Sequence, residues 1–311
     1  MSFTTKVKDE LMLNIQKARH CRIAELAALT CFMGDYDINS GVLRLVGENK
    51  PLLEKSEKII KKIFPVDNEE RIFYDRRRAG NDSYFLNLEK DISEKLISAL
   101  KLSFEEEGRV ISAGRSVYTS SCCKRAFLRG AFLAAGSMTD PEKDYHMEFA
   151  CSNEKLAFVL VEIIADFSIE AKTVRRKKQT VVYIKDSENI VDLLNVIEAH
   201  TALMDMENVR ILKDMRNKIN RRVNCETSNI RKISEVSLRQ IEDIDFIEQT
   251  IGLDELGEGL SETARLRKQY PDASLAELGN LHVTKVGKSG VNHRLAKILK
   301  IAQGLRNTGE Q

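Results

Sequence analysis

With 311 residues, 42% apolar and 31% charged, the chain is too long for one ordinary core, and no apolar run approaches the roughly 18–20 residues of a membrane-spanning helix. The N-terminal residues mix acids and bases among their apolar side chains, where a signal peptide needs an unbroken apolar centre, so a cytoplasmic protein is expected. The net charge of +2 hides an uneven distribution: eight Lys/Arg against two acids in residues 209–232, one against eight in 233–258, nine against four in 259–311. That pattern fits either a chain meeting nucleic acid at two places or a series of solvated helix faces.

The first two-thirds of the chain reads as an internal repeat. Residues 26–34 (Leu-Ala-Ala-Leu-Thr-Cys-Phe-Met-Gly) and 128–136 (Leu-Arg-Gly-Ala-Phe-Leu-Ala-Ala-Gly) are apolar helices rich in small residues, each stopping at a glycine, 102 residues apart. A strand follows each, over 35–46 and 145–151, then a helix over 51–64 and 153–167. Next comes a hairpin, 71–77 with 83–88 in the first copy and 171–176 with 180–185 in the second, and then a closing helix over 91–102 and 187–200. Ala27, Ala28, Gly130, Ala131, Ala134 and Ala135 would let the two first helices approach closely, joining the sheets into one concave surface. The hairpins bring Arg76, Arg77 and Arg78 in one copy and Arg175, Arg176, Lys177 and Lys178 in the other, a doubled basic edge suited to phosphates or simply two solvated hairpin tips.

The six cysteines form no Cys-x-x-Cys pair. Cys122 and Cys123 are adjacent and poorly placed to share one ion, so the cysteines read as small buried hydrophobes and no metal site or cofactor is expected.

The repeat resembles the LAGLIDADG homing endonucleases, most clearly at residues 127–137. In active members of that family an acid precedes the terminal glycine of each helix and holds divalent metal; Met33 and Ala135 stand at those positions here. The resemblance therefore implies the scaffold without the nuclease, and no catalytic residue.

Residues 202–222 read as a helix with an apolar row (Leu203, Met206, Leu212, Met215, Ile219) and a basic face that includes Arg221 and Arg222. It serves either as a DNA-touching linker or as a plain joint. The Asn-, Ser- and Thr-rich stretch 220–229 reads as a chain reversal or cap. Beyond it the pattern is helical. Ser274 and Glu277 form a capping box, with Gly279 ending or bending that helix. A loop over 282–288 then leads to a helix capped by Ser289, with Val291, Leu295, Ile298 and Ala302 on one face and His293, Lys297 and Lys300 opposite. The pair reads as a helix-turn-helix: Asn292 would pair with adenine and Arg294 with guanine, while Ser289, Lys285, Lys288, Lys297 and Lys300 meet phosphates. The alternative is an ordinary helical hairpin with a polar outer face.

Taken together, residues 26–34, 127–137, 220–229, 274–279 and 288–295 resemble the WhiA family of bacterial regulators, over nearly the whole chain. The resemblance implies an α+β fold: a two-repeat LAGLIDADG-like domain over 1–203 (repeats 20–102 and 121–203), a basic helical linker over 204–227, and a helical domain over 228–311 with its helix-turn-helix at 274–303. It further implies a regulator bound to double-stranded DNA in the nucleoid, acting in cell division, chromosome segregation or sporulation. Partners would be another transcription regulator or RNA polymerase, with no membrane; the oligomeric state is left open, a monomer being one option. The rival readings are a nucleoid-associated or protein-interaction scaffold and a metal-dependent endonuclease.

Overall fold

In a computed structural model, residues 2–64, 72–76, 82–105, 108–177 and 179–308 are described, with side chains for all of these except 72–76, 82 and 308. They form two compact units, Met1–Lys213 and Asp214–Gln311.

The first unit opens with helix α1 (Phe3–Leu13) and then repeats one plan twice. The first copy is α2 (Arg19–Met33), β1 (Gly34–Asp37), β2 (Val42–Gly47), α3 (Lys50–Ile63), β3 (Ile72–Arg76), β4 (Asp82–Asn87) and α4 (Lys90–Leu100). A small pair, β5 (Ser103–Phe104) with β6 (Val110–Ser112), and a 3-10 turn at Arg115–Tyr118 lead to the second copy. There α5 (Ser121–Ala135), β7 (Gly136–Met138), β8 (Met147–Cys151), α6 (Glu154–Ala165), β9 (Lys172–Arg176), β10 (Gln179–Ile184) and α7 (Ser187–Val196) follow in the same order. The sheets share one antiparallel topology, β1-β2-β4-β3 and β7-β8-β10-β9.

Local chemistry repeats too. Asn49 accepts the Leu52 N–H and Asn153 the Leu156 N–H, so an asparagine caps the second helix of each copy. In α3, Leu52, Leu53, Ile59, Ile60 and Ile63 fall at helical spacing and are buried together.

The single strand expected over 35–46 is two, β1 and β2, and β7 lies outside the expected strands because it starts at the glycine that ends the helix before it. Gly34 and Gly136 have ordinary negative φ (−78° in both), so neither is a left-handed stop. Glycine is needed for closeness instead: a Cβ at Gly34 would lie 2.4 Å from the Thr30 carbonyl oxygen, and one at Gly136 would lie 2.4 Å from the Phe132 ring.

Helices α2 and α5 pack on each other at the centre of the unit. Ala27, Ala28 and Ala131 have no exposed surface, and a Cβ at Gly130 would stand 2.5 Å from the Glu25 carbonyl oxygen, so the small residues do set the crossing. Phe127, Leu128 and Phe132 are fully buried there, each worth about 1.5–3 kcal/mol.

The expected reversal at 220–229 does not occur. Helix α8 (His200–Thr250) is continuous for 51 residues. Ion pairs four apart, Arg222–Glu226 and Arg231–Glu235, support the stretch that its Asn, Ser and Thr content weakens. Its apolar row is buried only at the start: Met206 is covered, whereas Leu212, Met215 and Ile219 are exposed.

In the second unit the end of α8 packs with a 3-10 turn at Leu253–Leu256, α9 (Glu258–Gln269), α10 (Leu275–Leu281) and α11 (Lys288–Thr308) around Ile244, Ile247, Ala264, Leu278 and Val291. The capping box is present: Ser274 Oγ accepts the Glu277 N–H, and the Ser274 N–H donates to the Glu277 carboxylate at 2.7 Å, holding that carboxyl below its usual range. Gly279 does not end α10, which runs on to Leu281.

Candidate nucleic-acid interface

Helix α11 lies over the core through Val291, Leu295, Ile298 and Ala302, all buried, as its periodicity requires. At 100° per residue the opposite side belongs to Ser289, His293, Lys297 and Lys300, all exposed. Lys285 and Lys288 are exposed at the entry to the helix. Ser289 is not the cap: the helix begins at Lys288, Val291 N–H donates to the Gly287 carbonyl, and Ser289 stands exposed in the first turn.

Asn292 and Arg294 lie on opposite flanks, as the sequence places them, but neither sits at the centre of the exposed face. Asn292 borders a groove of about 640 Å³ between α11 and α8, shared with Val236, Arg239 and Gln240. Arg294 turns to α9 and donates from its guanidinium to the Gly259 carbonyl at 3.2 Å. A guanidinium turned outward from this position would have to leave or share that bond, whereas His293 and Lys297 already face solvent.

The β9–β10 hairpin also sorts its cations. Side chains alternate across a strand, and Thr180, opposite Arg175, is itself opposite core Cys151. Arg175 therefore sits on the helix-covered side and pairs with Glu154 at the start of α6. Arg176 lies on the open face with Glu148, 3.0 Å away. Lys177 occupies the turn with φ of 53° and is exposed. In the first copy only the backbone of Arg76 is described; Arg77, Arg78 and, in the second hairpin, Lys178 lie outside the described residues. Arg221 and Arg222 are exposed on α8, Arg222 paired with Glu226.

Glu148 anchors the open face of the second sheet. Partial burial alone would push its carboxyl up, but the His146 ring nitrogen 3.0 Å away and the Arg176 charge outweigh burial and hold it below the usual glutamate range. The sign follows: this stabilisation is complete above the unfolded glutamate pKa and fades as pH falls through the lower folded value. Carboxyl-carbon NMR should place the Glu148 midpoint below those of exposed glutamates, and Arg176→Ala should bring it back up.

The helix ends carry no paired acids. Met33 is buried, Ala135 half-buried, and the neighbouring acid Asp35 pairs with Arg44 at 3.5 Å. Among the described residues, the converging group of metal-capable side chains lies elsewhere, at His20, Cys21, Cys122 and Cys123. The reading of cysteines as buried hydrophobes holds for Cys21, Cys31, Cys123 and Cys151 but not for exposed Cys122 and Cys225. The signal for the cluster was in the repeat itself: His20 and Cys122, and Cys21 and Cys123, are each 102 apart, the repeat's own offset.

Three family profiles match the chain: the WhiA N-terminal LAGLIDADG-like domain over residues 19–103, the WhiA LAGLIDADG-like domain over 124–216, and the WhiA C-terminal HTH domain over 219–302. The chain belongs to the WhiA family. Among WhiA relatives, the "Probable cell division protein WhiA" of Lachnoclostridium phytofermentans is 49% identical, with 98% of this chain and 100% of the relative aligned. That of Desulforamulus reducens is 42% identical, over 100% and 98%. The crystal structure of full-length DUF199/WhiA from "Thermatoga maritima" superposes with a TM-score of 0.60 at 23% identity, covering 97% of this chain and 98% of that one, and shares the WhiA fold. The α+β architecture, two LAGLIDADG-like repeats followed by a helical HTH region, is thus that of the family.

Proposed function

We propose that this WhiA-family chain is a sequence-specific DNA-binding transcriptional regulator acting in cell division, with chromosome segregation or sporulation as its wider setting, and that its LAGLIDADG-like repeats have lost nuclease chemistry. The observation that carries the reading is the α10–α11 pair. One face of α11 is locked into the core; the other presents Ser289 and His293 to solvent in the first two turns, where a recognition helix reads bases, and Lys297 and Lys300 further along the same face. His293, Lys297 and Lys300 make no ion pair with any described residue, leaving them available to a duplex. The names of the relatives support the cell-division setting. Met33 and Ala135 support the loss of nuclease activity, since neither side chain binds a hard cation. No helix among the described residues is long and apolar enough to cross a membrane, and binding DNA would itself place the chain at the nucleoid in the cytoplasm. RNA polymerase or a second regulator would be its protein partner, and Arg176, Lys177, Arg221 and Arg222 would add phosphate contacts.

Genome-wide DNA capture from cells carrying the wild type or His293→Ala/Lys297→Ala tests this. Sharp peaks sharing one motif, lost in the variant, are expected. Diffuse signal unchanged by the variant would replace the regulator with a nucleoid-associated or scaffold role. In binding assays Lys297→Ala should lower affinity and flatten the salt slope by about one unit without touching stability. Arg294→Ala should also destabilise the second unit by about 1–2 kcal/mol, through the lost Gly259 bond.

A further inference from the structure

We propose that His20, Cys21, Cys122 and Cys123 form a tetrahedral binding site for one zinc(II) ion, joining the two repeats at the starts of their central helices. One ligand atom from each side chain lies within 4.8 Å of all the others. His20 Nδ1 is 3.1 Å from Cys123 Sγ, 3.4 Å from Cys21 Sγ and 3.9 Å from Cys122 Sγ. A zinc ion with Zn–S bonds of about 2.3 Å and a Zn–N bond of about 2.0 Å at tetrahedral angles sets its ligand atoms roughly 3.5–3.8 Å apart. The four atoms thus stand close to their coordinated spacing, and only small rotamer adjustments separate them from it.

The placement follows from the repeat. His20 and Cys21 are the second and third residues of α2, and Cys122 and Cys123 the second and third of α5. Each helix brings two neighbouring ligands in its first turn, and the close α2–α5 crossing at Gly130 brings the two starts together. Adjacent residues of one helix are poor chelators on their own; two such pairs facing one another complete a coordination shell.

The chemistry selects the ion. Three thiolates and an imidazole make a soft N/S set, wrong for magnesium or calcium and right for zinc. Four ligand atoms this close fit a single ion, whereas an iron–sulfur cluster needs its cysteines spread around several irons. A disulfide would use two of the three sulfurs and leave both the third and His20 without a role. One zinc with three thiolates has a net charge of −1, which faces the positive ends of two helix dipoles. Burial first, then the neighbouring thiols, push the Cys21 thiol up to about 12, and burial likewise raises Cys123. Loading exchanges thiol protons for the divalent ion with no change of oxidation state, so affinity should fall as pH is lowered.

The buried hydrophobe reading accounts for Cys21 and Cys123, but not for His20 and Cys122, which are exposed yet aimed into the same cluster. Their exposure also gives an ion a way in.

Cobalt(II) is the probe. The full-length chain, made without a polyhistidine tag, is stripped with a chelator under a phosphine reductant and titrated anaerobically. One cobalt per chain is expected, with thiolate-to-cobalt charge transfer in the near ultraviolet and the strong visible bands of tetrahedral cobalt, bleached by one equivalent of zinc. Loss of even an outer partner of a metal ligand costs about 10–100-fold in affinity, so Cys122→Ser, at an exposed position that leaves the core untouched, should weaken binding at least ~10-fold. The zinc-loaded chain should also unfold at a higher temperature than the stripped one. A weak octahedral spectrum, substoichiometric binding, or bands unchanged in both Cys122→Ser and Cys21→Ser/Cys123→Ser would overturn the proposal. So would a disulfide among these cysteines that the phosphine leaves intact and that excludes cobalt.

Discussion

Arg129→Ala should lower the stability of the first unit by about 3–5 kcal/mol, the cost of breaking a buried ion pair from one side. For a unit of this size that is a fall of roughly 6–20 °C in its melting temperature. Arg129 is 1% exposed and Glu25, facing it from α2, not at all. Its guanidinium lies 3.8 Å from one Glu25 oxygen and also pairs with Glu198, which accepts further bonds from Asn14 and Gln16. Lys55 reaches the other Glu25 oxygen at 2.8 Å and donates to the Leu11 and Asn14 carbonyls. Removing Arg129 leaves one fully buried carboxylate with a single cation and takes the main partner from another. Burial already pushes the Glu25 carboxyl above its usual range, against the pull of Lys55 and Arg129, and losing Arg129 pushes it further. The native state of the variant then binds a proton the unfolded chain releases, so the deficit should be largest at pH 8 and shrink as pH falls through the raised value. Arg129→Met, which retains volume but not charge, should show the same pH trend with a smaller total. Urea unfolding at several pH values measures both, and a deficit constant with pH would mean that packing, not charge, is what Arg129 supplies.

The legible parts of the fold were those where a period and its stop signals agree. The two helices ending at Gly34 and Gly136, the asparagine-capped helices behind them and the β-branched run of β10 stand close to where the pattern puts them. The buried face of α11 was legible for the same reason. What escaped were relations between segments distant in sequence. Nothing near Arg129 announces Glu25 and Lys55, because the three meet only when α2, α3 and α5 pack. Arg175 and Arg176 look equivalent as a dipeptide and fall on opposite faces once the strand exists. In residues 220–229 low helix propensity predicts a reversal, yet α8 runs through unbroken, with the ion pairs Arg222–Glu226 and Arg231–Glu235 along this stretch. The exposed side of α11 follows from its period, but the sequence does not show that the Arg294 guanidinium is engaged by the Gly259 carbonyl while His293 and Lys297 face solvent.

Two glycine-to-alanine changes in the second unit should have opposite signs, and the contrast tests how α11 is held. At Gly279 a Cβ would stand 2.1 Å from the Val286 carbonyl oxygen, a distance real side chains do not adopt, and 3.4 Å from Val291 Cγ2. The same backbone contact carries a hydrogen bond, Val286 N–H to the Gly279 carbonyl at 3.0 Å. The loop from α10 to α11 is thus closed against Gly279 by its main chain, and any side chain must lift residues 282–287 and the first turn of α11 with them. Because the obstacle is backbone, it cannot swing aside. Gly279→Ala should cost the second unit about 3 kcal/mol, at the upper end of overpacking. It should reduce binding at a specific site to the level of arbitrary DNA, because Ser289 and His293 lose their fixed position. At Gly304, near the end of the same α11, a Cβ meets nothing within 4 Å, so alanine there should stabilise the helix by up to about 1 kcal/mol and leave DNA binding alone. Amide hydrogen exchange separates the outcomes. Gly279→Ala should speed exchange through residues 275–302 and leave α2 and α5 protected, whereas Gly304→Ala should slow it at the end of α11. Equal protection in the two variants would mean that α11 is positioned by its core face alone, and that the Gly279–Val286 contact follows from the fold without directing it.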